Sequence, residues 1–288
     1  MITTQQITKL HFHLGFNSLV KRRILLLPIL FLCLIVGIGL LEDFPNLLVL
    51  LLSRPATIEQ TYTPTQLSTS ADVSAVINAV SKDRILTDLR RLTGAEQVCL
   101  DHGCFTITNR MTGSVGLQWA QDYVVEQLTG LGYSVQIQSW SRDGYHDENL
   151  IVRKQGIVSP QDEIYFVAHM DGVNVPAADD NGSGTVDLLE VARMVSRRDF
   201  EKTIVLLFSS GEEQGTQGVS YYLDHLTPEQ LAAIKYVVNV DMVGYDNNQD
   251  GIMELFNGDQ DQDFVQFLAD IIASYHINLT PQIVSDCG

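Results

Sequence analysis

The chain has 288 residues, 45% of them apolar, enough for one large α/β domain with an N-terminal extension. All 35 acidic residues follow Leu41, whereas Lys9, Lys21, Arg22 and Arg23 of the 18 basic ones precede it, so residues 42–288 carry a net charge of about −21. A surface of that sign excludes nucleic acid as a partner and leaves carboxylates available as hard metal ligands.

From the N-terminus, residues 1–23 end in the basic cluster Lys21, Arg22 and Arg23. An uncharged apolar run follows, "ILLLPILFLCLIVGIGLL" from Ile24 to Leu41, and "LLVLLL" resumes after Glu42, Asp43 and a proline. The run is close to the ~18–20 residues of a membrane-spanning helix, so 24–52 reads as an anchor. Basic residues before it place 1–23 in the cytoplasm and the rest on the extracytoplasmic side. A cleaved signal peptide, giving a secreted protein, is the alternative. Residues 53–70, rich in Ser, Thr and Pro, read as a tether, and a folded domain is expected over 71–288.

Apolar residues from Val73 to Leu92 recur near helical spacing, and "VGLQWAQDYVVEQLTGLG" is a second amphipathic helix. Between them "CLDHGC" offers Cys99 and Cys104 for a small disulfide loop, which an exported domain permits, or for a zinc knuckle with His102. The period then shortens. "YSVQIQSW", "NLIVRKQG" and "EIYFVAH" read as strands, "SGTVDLLEVARMVS" as a helix, and "KTIVLLFSS" as a buried strand. Two short helices, "GVSYYLDHL" and "PEQLAAI", lead to "KYVVNVDMVG", a further buried strand, followed by "IMELF" and the helix "DQDFVQFLADIIASY". Apolar strands alternating with helices predict a mixed, mostly parallel central sheet covered by helices on both faces.

Ligands of such sheets bind beyond the carboxyl ends of the strands. Three strands end in suitable residues: His169 and Asp171 in "AHMD", Glu212 and Glu213 in "SSGEE", and Asp241 in "NVD". The acidic loop "PAADDNGSG" lies between the first two. In His-x-Asp both side chains fall on one side, so Asp171 can fix the ring orientation of His169. Adjacent glutamates diverge, so one can bind metal while the other serves as general base. The Gly-Ser-Gly turn is expected to bring Asp180 inward, where a carboxylate can bridge two ions.

"AHMD", "ADDNGSG", "SSGEEQGTQGV" and "NVDMVGYD", in that order, resemble the co-catalytic zinc aminopeptidases of metallopeptidase family 28, which also contains glutamate carboxypeptidases and relates to glutaminyl cyclases. The resemblance implies a zinc aminopeptidase fold and two zinc ions. His169 and Asp241 would bind the first, Asp180 would bridge both, and Glu213 would bind the second. Glu212 would be the general base for metal-activated water attacking a peptide carbonyl, and Asp179 would belong to the turn. A glutaminyl cyclase-like acyltransferase and an inactive peptidase-like receptor module are the competing expectations.

The resemblance breaks at the end. The family's last ligand lies in a Ser-Asp-His motif, whereas this sequence finishes "IVSDCG". Either Cys287 replaces the histidine, or the motif lies past Gly288. Separately, "DNNQDG" fits half of a calcium loop through Asp246, Asn248 and Asp250, or is a polar turn.

Overall fold

The structure, a computed structural model, describes residues 65–257 and 262–285. The expected anchor over 24–52 and the tether as far as residue 64 lie outside the described residues; among those described, no helix is long and apolar enough to cross a membrane. Two compact units are present, one of residues 68–250 and one that takes in 65–67 and 251–285.

In the larger unit the helical spacing after Val73 yields two helices, α1 (Ala71–Ala79) and α2 (Lys82–Leu92). They are separated where Val80 becomes extended and Ser81 caps α2 by accepting from Arg84 N. A hairpin of β1 (Val98–Leu100) and β2 (Gly103–Phe105) follows, closed by a Cys99–Cys104 disulfide. Both thiols are thus consumed and the zinc knuckle is set aside; His102 packs beside Phe105, which stacks on Trp119. Next come α3 (Val115–Gly130), β3 (Gln136–Arg142), β4 (Tyr145–Lys154), β5 (Ser159–His169), an irregular turn (Ala178–Ser183) and α4 (Gly184–Ser196). The unit closes with β6 (Lys202–Ser209), α5 (Gln217–Asp224), α6 (Pro228–Ala233) and β7 (Ile234–Asn239).

The sheet order is β3-β4-β6-β5-β7. Pairings of β5 with β6 and β7 are parallel, whereas those of β4 with β3 and β6 are antiparallel. The sheet is mixed, as expected, but less parallel than expected: only β4 runs against the others, yet as an inner strand it makes half of the pairings antiparallel. Alternation divides the core. Leu206 and Phe208 pack with residues of α2, α3 and α4 on one face, and Val205 and Leu207 pack with residues of α5 on the other. Every residue of β6 after Lys202 is buried, matching its unbroken apolar run. "KYVVNV", expected to be buried, lies instead at the sheet edge, with Lys235 and Tyr236 exposed.

The smaller unit pairs β8 (Ile252–Asn257) with β9 (Thr280–Ser285) in parallel, with α7 (Gln262–Ser274) between them in the chain. Val265, Ala269 and Ile283 form its core. Asp286 and Cys287 lie outside the described residues.

Asp187 in the first turn of α4 is pushed up to about 6, from an ordinary 3.8, by burial and then by Glu190. The folded protein therefore holds this proton more tightly than the unfolded chain, so stability falls as pH rises from about 4 to about 6. Asp187→Asn is expected to melt at the wild-type temperature near pH 4 and above it at pH 7. A difference that does not grow with pH would rule out the burial effect.

Candidate metal centre

Parallel register builds the site. His169 ends β5 level with Ser209 of β6, and Val167 is level with Asn239 of β7. Two residues further, Asp241 comes level with His169, and Val240 N still donates to Val167 O at 2.8 Å. Three parallel strands thus deliver their carboxyl ends to one edge, as expected from sequence.

The His169 ring is buried, and its Nδ1 faces Asp171. The shorter contact is to the Asp171 main-chain oxygen, 3.1 Å, with the carboxylate at 3.5 Å. Asp171 therefore orients the ring chiefly through its backbone. Its own carboxylate is turned to the neighbouring strand end, accepting from Glu212 N and Glu213 N, both at 3.2 Å, and from the Thr112 hydroxyl at 3.2 Å. One buried acid thus fixes both ends of the site.

On its other side, His169 Nε2 lies 3.3 Å from Asp180 Oδ1 and 3.5 Å from Asp241 Oδ1. Although the Asp241 contact falls within ion-pair range, it lacks hydrogen-bond geometry, and both Nε2 and Asp241 Oδ1 are buried without a hydrogen-bond partner. His169, Asp180 and Asp241 can each aim one ligand atom at a common point, all within 4.8 Å of one another. This is the single group of three such ligands among the described residues, so Asp246 and Asp250 of the proposed calcium loop belong to none; Asn248 Nδ2 instead donates to Asp250. Glu213 lies outside the triad.

The electrostatics suit a cation. Burial alone would lower the His169 pKa, but Asp171, Asp180 and Asp241 outweigh it and hold it well above the ordinary value. Glu212 is pushed up to about 7, first by burial and then by Asp171, Asp241 and Glu213, against the opposing pull of His169. Burial and Asp180 also raise Glu213, against His169 and a backbone donor at Val173.

Several supports had no evident signal in the sequence. Arg110 is fully buried and donates to four main-chain oxygens, those of Leu92, Met170, Pro176 and Ala177, stapling the chain between His169 and Asp180. Burial lowers its pKa to about 10 despite the fields of Asp171 and Asp180. Trp140 Nε1 donates to Ser210 Oγ under the Glu212 loop. Gly184 was expected to ease a turn; its backbone is helical, and glycine is required because a Cβ would stand 2.3 Å from both Asn181 Oδ1 and Val240 O. The Asp180–Asn181 peptide is cis.

The fold is shared with a zinc aminopeptidase from Bacillus subtilis, BSAP, at 14% identity and a TM-score of 0.58 over 72% of this chain and 85% of that one. A glutaminyl cyclase from Porphyromonas gingivalis shares it at 19% identity and a TM-score of 0.52 over 71% of this chain and 83% of that one. Residues 149–287 match the model of Peptidase family M28, so the resemblance read from the motifs holds across that segment. Leupeptin-inactivating enzyme 1 of Streptomyces exfoliatus is 34% identical over 142 residues, 48% of this chain and 32% of that one. Aminopeptidase YwaD of Bacillus subtilis is 38% identical over 99 residues, 34% of this chain and 22% of that one. The chain thus spans about a third or less of the length of the curated relatives it matches.

Gly211 adopts φ +72°, and a Cβ there would lie 2.6 Å from the Trp140 ring. Gly211→Ala is expected to cost about 1–3 kcal/mol of stability and to displace Glu212. Thermal melting should fall, and Trp140→Phe should not rescue it, since the positive φ persists.

Proposed function

We propose that the chain is a zinc-dependent aminopeptidase domain of the M28 type, acting on the N-terminal residues of peptides. The observation that carries this reading is the pair of orphaned buried atoms, His169 Nε2 and Asp241 Oδ1, set 3.5 Å apart beside Asp180. Unpaired polar atoms are costly in a folded interior, and an imidazole nitrogen facing two carboxylate oxygens suits zinc.

His169, Asp180 and Asp241 would hold one ion; Asp180 and Glu213 would hold a second, whose remaining ligand is not among the described residues. Zinc supplies Lewis acidity, acidifying water and drawing charge from a carbonyl oxygen. Glu212, beside the triad, is suited to take a proton and return it to the leaving amine, because burial favours its protonated form. Asp171 positions His169 and the Glu212 backbone. Residue roles here follow the family motifs together with this geometry.

A glutaminyl cyclase reading is supported by shared fold, whereas sequence relatives such as Aminopeptidase YwaD of Bacillus subtilis and Aminopeptidase Y of Saccharomyces cerevisiae bear aminopeptidase names. An inactive module is disfavoured by the presence of four ligand-type residues, His169, Asp180, Glu213 and Asp241, together with Glu212. An extracytoplasmic location is supported by the Cys99–Cys104 disulfide, which persists in oxidising compartments.

Glu212→Gln is expected to retain bound zinc and to lower kcat on aminoacyl anilides by about 10²–10⁴-fold. Removing zinc with a chelator should abolish wild-type turnover, and zinc should restore it. Undiminished hydrolysis by Glu212→Gln would exclude it as the base, and cyclisation of N-terminal glutamine without anilide hydrolysis would favour the cyclase.

A further inference from the structure

Sheet pairing stops at Val240, yet Asp241, one residue on, has to hold a carboxylate in place against His169. Apolar packing does not secure the segment: Met242, with φ +52°, is 56% exposed and Tyr245 is 70% exposed. Three side chains of the acidic turn do. Asn181 Nδ2 donates to Val240 O at 2.8 Å, Ser183 Oγ accepts from Val243 N at 3.0 Å, and Asp179 Oδ1 accepts from Gly244 N at 2.9 Å. These anchors flank Asp241 on both sides.

The turn is itself braced. Gly184 N donates to Asn181 Oδ1, and Ser183 Oγ donates to Asp179 O, each at 2.8 Å. Within it Asp180 faces His169, while the residues at 179, 181 and 183 grip the main chain around Asp241. We propose that Asp179, Asn181 and Ser183 form a positioning clamp that makes Asp180 and Asp241 one preassembled ligand unit. The inference rests on the metal reading above and adds to it that Asp179 acts as a hydrogen-bond acceptor, with no need of its charge.

Zinc affinity is to be measured by competition with a chromophoric chelator on the full chain, for wild type, Asp179→Ala, Asp179→Asn, Ser183→Ala and Asp241→Ala, alongside melting of the metal-free proteins. Asp179→Ala and Ser183→Ala should each weaken zinc binding by about 10–100-fold, the range seen for residues that orient ligands. Their metal-free melting temperatures should shift only slightly. Asp179→Asn, whose amide oxygen can accept from the same Gly244 N–H, should recover most of the affinity. Wild-type affinity in both Asp179→Ala and Ser183→Ala would overturn the clamp, as would an Asp179→Asn protein as weak as Asp179→Ala, which would assign the effect to charge. A wild type that takes up no zinc, or an Asp241→Ala protein that binds it as tightly, would overturn the metal reading and the clamp with it.

Discussion

The crowding of negative charge around a buried imidazole is the constraint on which this structure turns. Buried carboxylates are costly unless donors or cations meet them. Asp171 is met by two backbone N–H groups and a hydroxyl, and Asp179 by Gly244 N and Ser183. Asp241 Oδ1 and His169 Nε2 have no such partner. Among the groups around His169 the deficit thus falls where the triad converges, and the field that favours a proton on His169 is the field that would attract a dication.

Holding those groups together requires a frame that does not relax. Parallel register brings the ends of β5, β6 and β7 to one edge, so Asp241 follows directly on the β5–β7 ladder, the outermost of the sheet, and stays level with His169 while that ladder holds. Helices on both faces stiffen β5 from its other side, because alternate residues of its neighbour β6 are locked into separate cores. Rigidity of this kind is how a cluster of unpaired polar atoms persists in a folded chain.

Much of this was legible in the sequence because it follows local periodicity. The apolar runs of β4 and β6 marked their strands, and His169, Glu212 and Asp241 stood at strand ends where chemistry collects. Less legible was whatever depends on pairing partners. The antiparallel placement of β4 inside the sheet leaves no mark in its residues, and β7 reads as buried because its composition matches an inner strand. At the site, the family motifs picked out the acids but not their division of labour. Asp171 was expected to act through its carboxylate, yet its main-chain oxygen lies closer to the ring. Gly184 was expected to ease a turn, yet close approach of Val240 O is what excludes a side chain.

Arg110 shows why such supports escape a sequence reading. An isolated arginine before "MTGS" resembles any solvated cation, and nothing local says that it is fully buried. Its four acceptors lie in two distant stretches, around Leu92 and from Met170 to Ala177, which meet only after the sheet forms. Burying a guanidinium without a direct carboxylate partner is unfavourable on its own, and the neighbouring fields of Asp171 and Asp180 offset part of that cost. The acids that crowd His169 therefore help to keep this cation inside, and the cation in turn staples the loop that carries Asp180. Charge excess and loop order thus depend on one another, which is why the ligand set and its supports read best as one assembly.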